Sequence, residues 1–205
     1  MDPMGTVAMF SQSASAFHAL VERIDDAQWE QPALGVWDLR GLVGHTTRAI
    51  LTVEGYLALD DPGFESVPDA EGYYGRVYRD LGSPDEVAAR GVEAGVWLGD
   101  DPAQAVHDAI GRAMAAIDAA PAERIVSIGG LGIRLPEYLR TRVFELVVHS
   151  IDIANAIGVP HGQPQPAVMA TLELAAGIAA MRGQGEELLM ALTGRRALPE
   201  GYSVV

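Results

Sequence analysis

Glu145 and His149 stand four residues apart, so on a helix their side chains lie one above the other and can reach a common point in space. A neutral imidazole and a carboxylate at that spacing form a common half-site for zinc or a related divalent cation. Tyr138, Arg142, Glu145, His149 and Asp152 together fall within an arc of about 80° at ~100° per residue, a single polar seam. Val143, Phe144, Leu146, Val147, Val148, Ile151, Ile153 and Ala154 leave almost no other polar surface below Arg140, and a helix apolar nearly all round is buried. Unpaired charge on a buried helix is costly, so something must compensate the seam. A metal ion or a ligand would do so; the alternative is a set of i, i+3 and i, i+4 salt bridges along a solvated face. A third metal ligand has to come from elsewhere. His45 follows Leu42 by three and precedes Ala49 by four, at the edge of an apolar stripe, where it can look inward. His18, His107 and His161 read as surface or satisfied core positions.

The elements that must carry these residues are helical. Phe10, Ala14, Phe17, Val21 and Ile24 recur at helical spacing. After a break from Pro32 to Gly35, Asp38 stands as an N-cap ahead of the stripe Leu39, Leu42, Val43, Ile50, Val53 and Leu57, which carries His45. Residues 60–82, with Phe64, Tyr73, Tyr74 and Tyr78, read as a functional loop over a pocket. Ser83-Pro84-Asp85-Glu86 predicts the start of a short helix, and Asp101-Pro102 a long one through Val106, Ile110, Ala113, Met114 and Ile117 to Pro121. Ile125, Val126 and Ile128, then Gly129-Gly130, then Ile133 and Leu135, predict a hairpin. The helix of the seam is expected from Pro136 to about Ile157, closed by Gly158 and Pro160. A last helix is expected over roughly Pro166 to Met181, with one or two further turns in 186–193. This inventory predicts an all-α helix bundle with a small β-hairpin, in a single domain over residues 1–205.

Composition narrows the function classes. With 28 acidic against 14 basic residues, a net charge of −14 and no basic stripe, nucleic acid is not an expected partner. With no cysteine, a disulfide framework, a Cys-ligated zinc and a protein thiol nucleophile are excluded, so any thiol must arrive from outside. No apolar run reaches the ~18 residues of a membrane span and no basic leader opens the chain, so no membrane role is expected and the location is read as cytoplasmic. The oligomeric state is left open.

Trp37-Asp38-Leu39-Arg40-Gly41-Leu42-Val43-Gly44-His45, followed by Arg142-Val143-Phe144-Glu145-Leu146-Val147-Val148-His149-Ser150-Ile151-Asp152, resembles the mycothiol-dependent maleylpyruvate isomerase family of DinB-like helical bundles. Leu192-Thr193-Gly194-Arg195-Arg196-Ala197-Leu198-Pro199 also looks like the end of that family's bundle domain. The resemblance implies a DinB-like four-helix core with a divalent metal, usually zinc, held by His45, Glu145 and His149. It gives Arg142 and Asp152 one of two roles, orienting a substrate or bound thiol, or backing the ligands as a pair. Leu34-Gly35-Val36-Trp37 lacks the proline common before the family's Gly-Trp, so a different approach to the second helix is expected. The isomerase proper carries a further C-terminal domain outside the resemblance, and maleylpyruvate isomerisation itself is not expected of these 205 residues.

Two histidines and a carboxylate leave a coordination position open, as in catalytic sites. The implied chemistry is activation of mycothiol, or a similar low-molecular-weight thiol, as a thiolate that attacks a small electrophilic substrate in S-transfer or isomerisation. The rivals are a metal- or ligand-binding bundle without catalysis, and a metal-dependent hydrolase with Asp152 as its base.

Overall fold

The computed structural model describes residues 3–76 and 83–205. Four helices make the central bundle: α1 (Pro3–Val21), α2 (Leu39–Leu57), α5 (Pro102–Ala119) and α6 (Leu135–Ile157). α1 packs on α5 and α6, and α2 packs on the same two from the other side. Phe10, Ala14 and Phe17 of α1 are fully buried against this core, as are Leu42, Val43 and Ile50 of α2 and Leu139 and Leu146 of α6. The expected stripes are therefore the buried faces, although α1 stops at Val21 and Ile24 is buried beyond its end. The architecture is an all-α bundle with small hairpins.

The start signals hold in atomic detail. The Asp38 carboxylate accepts from Gly41 N at 2.7 Å and caps α2. Ser83 and Glu86 form a reciprocal capping box on α4 (Pro84–Trp97), a helix of 14 residues and longer than the short one expected. Asp101 caps α5. Gly158, with a φ of +72°, closes α6.

The hairpin β3 (Ile125–Ile128) and β4 (Leu131–Arg134) pairs Ile128 with Leu131 across Gly129-Gly130, whose φ values of +57° and +82° suit a tight hairpin turn. Leu135, read as part of the second strand, instead opens α6. Two further helices flank the bundle, α7 (Gln165–Met181) and α8 (Gly185–Leu192), close to the expected bounds.

Two elements differ from expectation. Residues 32–38 are a second hairpin, β1 (Pro32–Leu34) with β2 (Trp37–Asp38), where only a break was expected. Three- and two-residue strands show no alternation long enough to read. The 60–82 segment contains a helix, α3 (Ala70–Arg76), and Tyr78 lies outside the described residues. Asp69 caps α3, its Oδ1 accepting from Gly72 N at 2.7 Å, and the first N–H of the helix is satisfied from α6: Ala70 N donates to Glu137 Oε2 at 3.0 Å. Arg140 then ties Glu137 to Glu71, with 2.6 Å and 2.8 Å contacts.

α4 lies along the outer face of α2 because both helices are stripped to backbone at the contact. A Cβ at Gly44 would stand 2.2 Å from Gly95 N, and one at Gly91 2.5 Å from Trp37 Nε1. Among the described residues no helix is long and apolar enough to cross a membrane.

Candidate metal centre

α2 and α6 bring together the three residues singled out as ligands. One ligand atom each from His45, Glu145 and His149 lies within 4.8 Å of the others, a group that could hold a metal ion. His149 Nε2 is 3.3 Å from Glu145 Oε2, and the His45 and His149 rings meet edge to face with centroids 4.9 Å apart. The Glu145 and His149 side chains keep 23% and 14% of their surface, all that a buried helix leaves open.

Each member of the group is held from behind. The indole of Trp37 stacks on His45 at 4.4 Å between centroids, and its Nε1 donates to Ala88 O on α4 at 2.9 Å. Tyr74 donates to Glu145 Oε1 at 2.8 Å, and Asp152 Oδ2 stands 3.1 Å from His149 Nδ1. A carboxylate behind a histidine fixes its tautomer and ring orientation, the arrangement metal-binding histidines ordinarily show.

The electrostatics fit a cation. Burial pulls His45 down to about 4, with the His149 charge adding to the effect, so its imidazole is neutral and its lone pair available. Burial opposes ionisation of Glu145, yet the His149 and Arg142 charges and the Tyr74 hydrogen bond hold its carboxyl at about 2. Burial also opposes a charged His149, but Asp152 and Glu145 raise it to about 9. In the metal-free protein a proton on His149 therefore supplies positive charge between two carboxylates. His45 Nδ1 is buried with no hydrogen-bond partner among the described residues, an orphan that a ligand set explains and a packed core does not. The donor set suits a divalent ion of the zinc type.

The triad opens on a cavity of about 580 Å³, mostly apolar, between α2, α3, α6, the β1–β2 tip and α4. Arg142 lines it and Asp152 does not. Arg142 lies over the Tyr138 ring at 4.9 Å and the Tyr73 ring at 5.7 Å, and its Nε donates to Thr141 Oγ1 at 3.0 Å. It makes no pair with Asp152. Tyr138 faces the cavity too, donating to Thr52 Oγ1 at 2.7 Å.

Several lining residues escaped the sequence reading. Arg48, Thr52 and Tyr56 follow His45 at spacings of three and four and extend it into a polar seam on α2 matching the one on α6. Tyr73 and Tyr74 were expected over a pocket, but they arrive on a helix; Phe64 is 52% exposed and does not line the cavity. His18 has Glu22 one turn on at 3.8 Å, a partner already present in the spacing, and is not part of the centre.

A family model described as the mycothiol maleylpyruvate isomerase N-terminal domain matches residues 10–154. That span holds all three members of the triad together with Arg142 and Asp152, and ends before Leu192–Pro199, which the resemblance was expected to include. No curated protein and no solved structure matches the chain. The match covers well over half of the sequence, and the chain belongs to the mycothiol maleylpyruvate isomerase N-terminal domain family.

Proposed function

We propose that this chain is a metal-dependent enzyme of the thiol-transfer or isomerase type, using mycothiol or a similar low-molecular-weight thiol on a small electrophilic substrate. His45, Glu145 and His149 are its metal ligands in this reading, with zinc the expected ion. A divalent cation supplies the charge that turns a thiol into a thiolate near neutral pH. The observation that carries the reading is the placement of an incomplete ligand set at the wall of a cavity of about 580 Å³.

The chain's own residues have separable tasks. Trp37 and Asp152 hold the two imidazoles, and Tyr74 holds the Glu145 carboxylate. Burial pushes the Tyr74 phenol well above its usual range, so it stays a donor at any working pH. The apolar lining excludes water from the electrophile. Chain cysteine is absent, so no internal thiol competes for the ion.

A hydrolase would need a base beside the ligands. Among the described residues lining the cavity, Glu145 is the only carboxylate side chain, and Asp152 is turned to the far side of His149. The thiol reading is therefore preferred.

The test is elemental analysis of purified protein beside His45→Ala and His149→Ala, followed by thiol consumption with an electrophilic acceptor. Near-stoichiometric metal, lost in both variants, and turnover that needs mycothiol are the expected results. Metal without thiol turnover would favour a non-catalytic binding bundle. Turnover without thiol would favour the hydrolase. No metal uptake on reconstitution would refute the centre.

A further inference from the structure

Arg142 is paired unlike the other buried arginine of its helix. Arg140 is neutralised by Glu71 and Glu137 at 2.8 Å and 2.6 Å. Arg142 has no carboxylate within salt-bridge distance among the described residues; its polar partners are the neutral Thr141 Oγ1 at 3.0 Å and Tyr73 Oη at 3.5 Å. A guanidinium is cationic at every working pH and carries five N–H donors in a planar fork. Two aromatic faces hold the cation without neutralising it, so donor capacity remains on the cavity side. The cavity as a whole reverses the chain's charge balance. Among the described residues its lining carries Arg48, Arg90 and Arg142 against the Glu145 side chain and the Val205 terminus, in a chain with twice as many acidic as basic residues. Leu34 and Val36 at the β1–β2 tip and Val87 on α4 make an apolar part of the lining.

We infer that the cavity takes a monoanionic organic acid with an apolar body, its carboxylate seated on the Arg142 fork and its body against the Leu34–Val36–Val87 wall. Arg–carboxylate pairing is bidentate and orienting, and it would supply the anion that Arg142 lacks. Arg142 stands three residues before Glu145 and seven before His149 on one face of α6. The carbons next to a carboxylate held there lie along the seam that leads to the triad. A second carboxylate at the far end of a body seated on Leu34, Val36 and Val87 would meet side chains that offer it no hydrogen bond, at a desolvation cost. The inference rests on the proposed reading of the cavity as a substrate site and names the substrate's class.

The test is calorimetric titration of the chelator-treated 205-residue chain with trans-cinnamate, its neutral isostere cinnamamide, and fumarate. Cinnamate is expected to bind at least about tenfold tighter than cinnamamide, the scale of a charge-assisted pair against a neutral one. Arg142→Gln should bring cinnamate down to the level of the amide and leave the amide unchanged, while Arg142→Lys keeps part of the preference. Equal binding of acid and amide, an undiminished acid preference in Arg142→Gln, or tighter binding of fumarate than of cinnamate would each overturn the inference. If Arg142→Gln loses its helical circular dichroism, the three-ligand comparison on the unaltered chain decides alone. Neither metal nor thiol is present, so failure here leaves the metal-thiol reading standing, and failure of metal uptake leaves this result standing.

Discussion

Glu145 and His149 face each other at 3.3 Å in a geometry that a shared proton can hold together. At pH 7 His45 is neutral, at about 4, and Glu145 is ionised, at about 2, whereas His149, at about 9, carries its proton. A metal held by the proposed triad would have to displace that one proton. Calorimetry at pH 7 in buffers of different ionisation enthalpy should report close to one proton released per ion, and zero release would contradict this charge assignment. Asp152 contributes only through His149, so Asp152→Asn should keep the fold and weaken metal affinity about 10- to 100-fold in a competition titration. Unchanged affinity would remove Asp152 from the centre.

α2 and α4 meet at glycines, and the element-scale consequence runs through Trp37. Gly91→Ala places a Cβ 2.5 Å from the indole nitrogen, so the ring or the helix must move. Overpacking of this kind costs about 1–3 kcal/mol in denaturant unfolding. Because Trp37 stacks on His45, metal affinity should fall with stability, whereas Asp38→Ala, which removes only the α2 cap, should cost about 1 kcal/mol. α3 depends on α6 in the same way. Glu137→Ala leaves Ala70 N without its acceptor and Arg140 with one partner fewer while the Asp69 cap stays in place, so hydrogen exchange should show protection of α3 reduced but not lost while α6 stays protected. Protection of α3 equal to that of the unaltered protein would argue against a role for this contact.

The whole molecule carries the centre's pH dependence. In the metal-free protein His149 titrates at about 9 against 6.5 for the free side chain, so the folded state holds the proton more tightly. That stabilisation is complete below pH 6.5 and is lost as pH rises toward 9. A metal on the proposed triad needs the same site deprotonated, so the ion's stabilisation would grow over the same window. Thermal scans should therefore show the melting temperature of chelated protein falling from pH 6.5 to 9 while the gain on adding metal increases. At an ion concentration of about 100 Kd that gain is about 2.7 kcal/mol. Parallel pH profiles with and without metal would exclude the linkage.

Much of this protein was determined by local chemistry that sequence carries directly. The α2 cap at Asp38, the Ser83–Glu86 capping box, the Gly129-Gly130 turn and the α6 stop at Gly158 each involve neighbours a few residues apart, so spacing alone marks them. The α6 seam was legible for the same reason, since i, i+3 and i, i+4 positions share a face whatever the rest of the chain does. Pairing His45 with that seam needed the family pattern, because the two lie a hundred residues apart. Only the tertiary structure decided that Trp37 backs His45, that Tyr74 holds Glu145, that Glu137 takes the first N–H of α3, and that Arg142 opens on the cavity while Asp152 sits behind it. All but the Asp152 contact join residues that no helical or strand period relates, and even Asp152, placed on the seam by its spacing, takes its side of the cavity from how α2 packs on α6.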